Sequence, residues 1–197
     1  CSASIVLISL IASETKFCIV FILIIIFIIT SKRLYCYKIM LKINSKAPTF
    51  VASSTTNNNY SLKDSIGKYV VLYFYPKDDT PGCTIETNDF NKLLSKFKKL
   101  DCEVYGVSKD NLKSHDKFRD KYKIKFDLLS DEDLKVLKKY KVWGKKKFMG
   151  REFMGIIRTT YLIDKKGKVL KVWNNVKVKD HAKEVLDTLK NIVKKWK

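Results

Sequence analysis

The sequence predicts an α/β protein with a central mixed sheet flanked by helices. Two observations carry this. Short β-branched and aromatic runs alternate with amphipathic helical patterns along most of the chain, the signature of helices packed on both faces of a sheet. The chain then closes with two strands joined by DKKG and a last amphipathic helix, which adds antiparallel strands to the layer.

Taken in order, residues 69–75 (YVVLYFY) are apolar throughout and stop at Pro76, so they read as a buried central strand. Residues 84–99 read as a helix, with Phe90, Leu93, Leu94 and Phe97 recurring at three- and four-residue spacing and lysines opposite. Residues 104–107 are a second buried strand. Residues 111–122 are a helix carrying Leu112, His115, Phe118, Arg119 and Tyr122. A short strand at 126–129 precedes SDED at 130–133, which caps a helix running through Tyr140. Strands at 159–163 and 169–173 form the hairpin. The last helix spans about 180–193, with Ala182, Val185, Leu186, Leu189 and Val193 on one side. TTNNN at 55–59 is a polar turn. The combination fits a thioredoxin-like fold.

The chain has 197 residues and a formal net charge of +20. Its arginines are Arg33, Arg119, Arg151 and Arg158; every other cation is lysine. Specific nucleic-acid recognition leans on the planar guanidinium, and these lysines are scattered, with no basic helix face interleaved with aromatics. The charge therefore reads as a solvated surface. No specific nucleic-acid partner is expected, although weak binding at low salt would follow from the charge alone.

Residues 1–39 stand apart. Residues 17–29 are thirteen apolar residues, short of the ~20 that span a bilayer, and the cations Lys32, Arg33 and Lys38 follow the run instead of preceding it. A membrane anchor, an organellar leader and a translated upstream stretch are all open. The reading favours a start at Met40, where LKINSKAPTF opens a domain covering 40–197. Without the first segment the protein is expected in the cytoplasm; with it, at a membrane or in an organelle.

Of five cysteines, Cys1, Cys18 and Cys36 fall in that segment, and Cys83 and Cys102 in the domain. With no CxxC and no Cys/His cluster, neither a disulfide framework nor a zinc site is supported, and no cofactor is called for. A reducing compartment with a reactive thiol fits better.

The stretch PKDDTPGCTIE, residues 76–86, joins the central strand to the first long helix. Ligands of α/β folds bind at such strand ends. Pro81 and Gly82 allow a tight approach, and Cys83 falls in the first helical turn, where free N–H groups and the helix dipole favour an anion. A thiol there is expected to be rich in the nucleophilic thiolate. Thr80, three residues earlier, can offer a hydroxyl to the sulfur or to a bound oxygen. Such donors suit attack of sulfur on a peroxide O–O bond, because they stabilise charge developing on the leaving oxygen.

Pro76, Thr80 and Cys83 match the active-site pattern Pro-x-x-x-Thr/Ser-x-x-Cys, and this loop resembles that of peroxiredoxins. YFYPKDDTPGCT, LLSDED, VWGKKKFMG and IIRTTYLID resemble, in order and spacing, the bacterioferritin-comigratory-protein (PrxQ) branch. The resemblance covers essentially all of 40–197. It implies a thiol peroxidase serving antioxidant defence and cell redox homeostasis, acting on hydrogen peroxide and organic hydroperoxides. It also implies an arginine that stabilises thiolate and peroxide, matched by Arg158. The expected site is thus Cys83, Thr80, Arg158 and Pro76. Glu86, one turn beyond Cys83, is a further lining candidate outside that set.

The chain departs from its branch in one respect. Many members carry a resolving cysteine five residues after the first, where this chain has Asn88, and others carry it in the next helix, where 111–122 has none. Cys102 lies beyond the far end of the helix that Cys83 begins. At ~1.5 Å per residue that helix separates the sulfurs by more than ~20 Å, whereas a disulfide needs Cα atoms within ~7 Å. A one-cysteine mechanism follows, with an external thiol restoring the enzyme: thioredoxin by resemblance, glutaredoxin or glutathione as alternatives. A monomer or weak dimer is expected. His115 and His181 read as structural or surface residues. Trp143, Phe148 and Phe153 read as core or surface packing by default, with a place beside the site left open. Two rival functions remain: a membrane-tethered thiol-disulfide oxidoreductase, which would need a CxxC, and a non-enzymatic basic binding or chaperone-like protein.

Overall fold

Alternation along the central strand sets the two layers of the protein. In the computed structural model, which describes residues 40–56, 59–148 and 150–195, β3 (Tyr69–Phe74) sends Val71 and Tyr73 into one core, joined by Tyr75 just beyond, and Val70, Leu72 and Phe74 into the other. A strand buried on both faces has no polar side and reads as a continuous apolar run. The reading of residues 1–39 lies outside the described residues.

Around β3 runs a seven-stranded mixed sheet of order β2-β1-β5-β4-β3-β8-β9. It is built from β1 (Val51–Ser54), β2 (Tyr60–Ser61), β4 (Cys102–Ser108), β5 (Leu128–Ser130), β8 (Thr159–Ile163) and β9 (Val169–Asn174). β3, β4 and β5 are parallel; β8, β9, β1 and β2 join antiparallel. Helices α1 (Pro81–Lys98), α2 (Leu112–Tyr122) and α4 (His181–Lys195) lie on one face, packing Phe90, Leu94, Phe97, Phe118, Val185 and Leu189 over Val71 and Tyr73. The short α3 (Lys135–Lys139) and the segment around Phe50 cover the other face. Among the described residues no helix is long and apolar enough to cross a membrane.

The sequence-level elements recur with small shifts. α1 starts at Pro81, three residues earlier than the apolar spacing suggests, because proline is pre-set for the first helical position. The SDED segment caps α3 through Asp131, whose carboxylate accepts from the Lys135 and Leu137 N–H groups at 2.9 and 2.7 Å. In the DKKG turn, Asp164 accepts from the Lys166 and Lys168 N–H groups and Gly167 takes φ +76°. The hairpin of β6 (Trp143–Phe148) and β7 (Arg151–Ile156) was not anticipated as strands. Its lysine- and glycine-rich residues give no buried alternation to read.

Both histidines are structural. His115 is fully buried on α2, and His181 is buried at the start of α4, where its Nε2 and the Thr160 hydroxyl lie 2.8 Å apart. Burial pulls the His181 imidazole down to about 4, so the ring is neutral near neutral pH. Trp143 pairs across the hairpin with Ile156 and packs at the margin of the second core, while Phe153 is half exposed. The Phe148 side chain lies outside the description.

Gly106 on β4 lets the sheet meet α1. A Cβ there would fall 2.6 Å from the Tyr73 hydroxyl and 2.9 Å from Leu128. The Tyr73 ring stacks on Phe90 of α1 at 4.8 Å, and its hydroxyl bonds Thr87 at 3.0 Å. Gly106→Ala is expected to cost about 1–3 kcal/mol through overpacking, read as a lower urea midpoint at unchanged slope.

Candidate active site

The register of β3 against β8 fixes the site. Phe74, the last residue of β3, pairs with Thr159, the first of β8, so Arg158 stands at the same end of the sheet where the chain leaves β3 for α1. Tyr75 makes one more ladder bond, its N–H donating to Val107 at 3.1 Å. Pro76, half-buried, follows with no N–H to give and ends the pairing. Thr80 is the N-cap of α1, and Pro81, Gly82 and Cys83 form its first turn. The first helical bond, Thr84 N–H to the Thr80 carbonyl at 2.8 Å, comes after them, leaving the Gly82 and Cys83 N–H groups among the unpaired donors of a helix start.

Cys83 is buried at 1 % exposure. An Arg158 Nη2–H donates to its sulfur at 3.2 Å. The other guanidinium arm donates to Glu86 Oε2. Cys83 and Glu86, three residues apart on α1, share a helix face, and the guanidinium bridges them. The Arg158 side chain is 15 % exposed and that of Glu86 not at all. Burial works against the Arg158 charge, but Glu86 and Cys83 outweigh it and hold the guanidinium charged. Burial pushes the Glu86 carboxyl up to about 7 against the pull of Arg158, and its Oε1 is buried without a partner. The guanidinium packs against the helix start: a Cβ at Gly82 would sit 3.6 Å from Arg158 Nη2, an ordinary van der Waals contact. Behind the guanidinium, the Arg158 carbonyl accepts from the Val176 N–H at 3.0 Å.

The loop between β3 and α1 is fastened to α2 by two aspartates that sequence reasoning passed over. Buried Asp78 accepts from the Tyr75 and Ser114 hydroxyls, both at 2.7 Å, and lies 2.8 Å from His115 Nδ1; its own N–H donates to Asp110 at 2.8 Å. Asp79, at φ +52°, accepts from Lys121 and from the Tyr122 hydroxyl at 2.6 Å. Aspartate is among the few residues that tolerate this conformation. The signal was the DD pair itself, an acidic couple in a loop before a helix start.

The structure thus brings Cys83 and Arg158 together and adds Glu86 to them. Thr80 stands at the expected helix start, with its hydroxyl donating to the Lys77 carbonyl at 3.2 Å. Cys102 opens β4 opposite Tyr69, at the other end of the β3–β4 pair from the site. It is free and buried, and burial pushes its thiol well above the ordinary range.

A buried sulfur at a helix start, touched by a guanidinium from the neighbouring strand end, is the setting in which the likeness to known proteins is informative. The model of the AhpC/TSA family matches residues 43–172. The chain belongs to the AhpC/TSA family and is a peroxiredoxin. It is 46 % identical over 155 residues to peroxiredoxin Bcp of Bacillus subtilis, covering 79 % of this chain and 99 % of that protein. With the putative peroxiredoxin bcp of Helicobacter pylori J99 it shares 47 % over 149 residues, 76 % and 98 % of the two chains. Among solved structures, a cysteine-to-serine mutant of Xylella fastidiosa PrxQ superposes with a TM-score of 0.74 at 36 % identity, covering 78 % of this chain and 98 % of that one. A structure of the Xanthomonas campestris bacterioferritin comigratory protein, described for its alkyl peroxide reduction activity, gives 0.69 at 40 %, covering 72 % and 90 %. These relatives support the thioredoxin-like fold and the thiol-peroxidase reading, and neither rival function. Peroxiredoxins act on peroxides with thiol reductants.

The raised Glu86 carboxyl makes a signed prediction. An unfolded glutamate ionises near 4.5 and the folded one near 7. Between these values the native state holds the extra proton, so stability falls as pH rises through the window and levels off above it. Glu86→Gln is expected to flatten this part of the curve, measured as urea midpoints at stepped pH.

Proposed function

We propose that Cys83 is the peroxide-attacking nucleophile of a one-cysteine thiol peroxidase acting on hydrogen peroxide and organic hydroperoxides. The observation that carries this reading is the Arg158 guanidinium 3.2 Å from the Cys83 sulfur, at a helix start whose N–H groups also face anions. The thiolate attacks the terminal oxygen of the hydroperoxide along the O–O axis. An S–O bond forms, the O–O bond breaks, and the leaving oxygen departs with the electron pair. Arg158 and the first-turn N–H groups stabilise the charge as it moves from sulfur to oxygen. Rotation of the Thr80 side chain out of its bond to Lys77 would bring its hydroxyl to the peroxide, and Pro76 ends the β3 ladder at the start of the loop that leads to Cys83.

Cys83 is left as a sulfenic acid. An external thiol condenses with it, releasing water and forming a mixed disulfide, and a second thiol releases Cys83. Thioredoxin suits both steps through its two cysteines; glutaredoxin and glutathione are alternatives. The buried thiol of Cys102, at the far end of the sheet, supports an external reductant in place of an internal disulfide. Two free cysteines in the described domain fit a reducing cytoplasm, and the role is antioxidant defence and redox homeostasis carried by residues 40–197, as a monomer or weak dimer.

Cys83→Ser is expected to bring peroxide turnover to background, whereas Cys102→Ser retains it. One equivalent of peroxide with a sulfenic-acid trap should label Cys83 and give no Cys83–Cys102 disulfide by mass spectrometry; an unlabelled Cys83 would overturn the reading. Arg158→Lys keeps a cation but loses the planar fork, and kcat/KM is expected to fall about 10²–10³-fold, the scale of losing a fixed oxyanion donor.

A further inference from the structure

Three consecutive lysines, Lys145, Lys146 and Lys147, lie on β6. Successive strand residues face opposite ways, so the middle one parts from its neighbours. Lys145 and Lys147 are exposed, and Lys145 is only loosely paired with Glu152, at 3.9 Å. Lys146 shares the other face with Phe153, its cross-strand partner, and is half-buried.

Its stem is laid along the hairpin. A Cβ on Gly155 would meet Lys146 Cδ and the Phe153 ring, each at 3.3 Å, so the glycine leaves the room that stem and ring occupy. The ammonium donates to the Ile156 carbonyl at 3.0 Å. Ile156 is two residues before Arg158, so Lys146 is pinned to the backbone that presents the guanidinium. Burial, and then repulsion from Arg158, draw the Lys146 ammonium below the usual lysine range, while the Cys83 sulfur opposes them. The ammonium therefore lies within the electrostatic reach of both groups that the proposed reaction uses. Of its three N–H donors, Ile156 engages one.

The geometry points to Lys146 as the proton donor to the oxygen that leaves when Cys83 is oxidised, an assignment that rests on the peroxidase reading above. When the thiolate attacks ROOH, the terminal OH stays on sulfur and RO⁻ departs with the electron pair of the broken O–O bond. Sulfur is oxidised and the peroxide oxygens are reduced. An alkoxide or hydroxide is a poor leaving group until it gains a proton. Arg158 keeps its protons at any working pH, and the Glu86 side chain has no exposure and faces the guanidinium. Lys146 gives one proton to RO⁻, forming ROH. Its half-exposed amine then recovers a proton from solvent.

The test compares two oxidants by rapid quench and mass analysis of Cys83. With tert-butyl hydroperoxide the leaving alkoxide needs a proton; with peracetic acid the leaving acetate is already a stable anion. Lys146→Met is expected to slow oxidation by the alkyl hydroperoxide about 10²-fold or more, the usual share of a positioned general acid, and to leave the peracid rate near that of the wild type. Lys146→Arg keeps the charge but not the transferable proton and should share the alkyl-hydroperoxide defect. Lys147→Met, on the exposed face, should match the wild type with both oxidants. Equal loss with both oxidants in Lys146→Met would make Lys146 a packing residue. Full alkyl-hydroperoxide activity in either Lys146 variant would also overturn the assignment. Failure of wild-type Cys83 to react with either oxidant would instead overturn the peroxidase reading itself.

Discussion

A cation shut away from water has to be matched where it stands, and Arg158 is matched by Cys83 on one arm and Glu86 on the other. Both partners come from the first turns of one helix, so the guanidinium ties a strand end to a helix start. Most of what surrounds the site serves to keep that bridge in register. The β3–β8 pairing delivers Arg158 to the right end of the sheet, Pro81 and Gly82 begin the helix without crowding it, and Tyr73, wedged against Gly106, sets the helix at its distance from the sheet. Because burial pushes the Glu86 carboxyl up to about 7, the charge it sets against the guanidinium changes near neutral pH. The site is thus a coupled triad whose middle member has a constant charge.

Much of this was legible in the residues. A doubly buried strand announces itself by a run such as YVVLYFY, and a helix by the spacing of Phe90, Leu94 and Phe97. Cys83 could be placed in a first helical turn because proline and glycine precede it. Arg158 was different: nothing in its immediate surroundings separates it from a surface cation, and only the resemblance of IIRTTYLID to a known family singled it out. Glu86 had a local signal, the three-residue step from Cys83 that puts both on one helix face.

Other features were not legible, for physical reasons. The β6–β7 hairpin is exposed along most of its length, so no alternation of apolar and polar residues marks it. Lys146 looked like its two neighbours, because only pairing in a strand reveals that the middle lysine of three turns inward. Asp78 and Asp79 showed in the sequence only as an acidic pair before a helix start. Their partners Ser114, His115, Lys121 and Tyr122 sit more than thirty residues later, beyond the reach of local pattern.

The fastening by those two aspartates bears on how the proposed cycle spends its time. Here the neighbouring helix carries no cysteine, and its Ser114, His115, Lys121 and Tyr122 are bound to the active-site loop. In the proposed cycle the oxidised sulfur therefore waits beside a loop that stays fastened to that helix. Its lifetime becomes a race between the arrival of a reducing thiol and the arrival of a second peroxide, and because Cys83 is almost wholly buried, any opening of the site that admits the larger of the two enters that race.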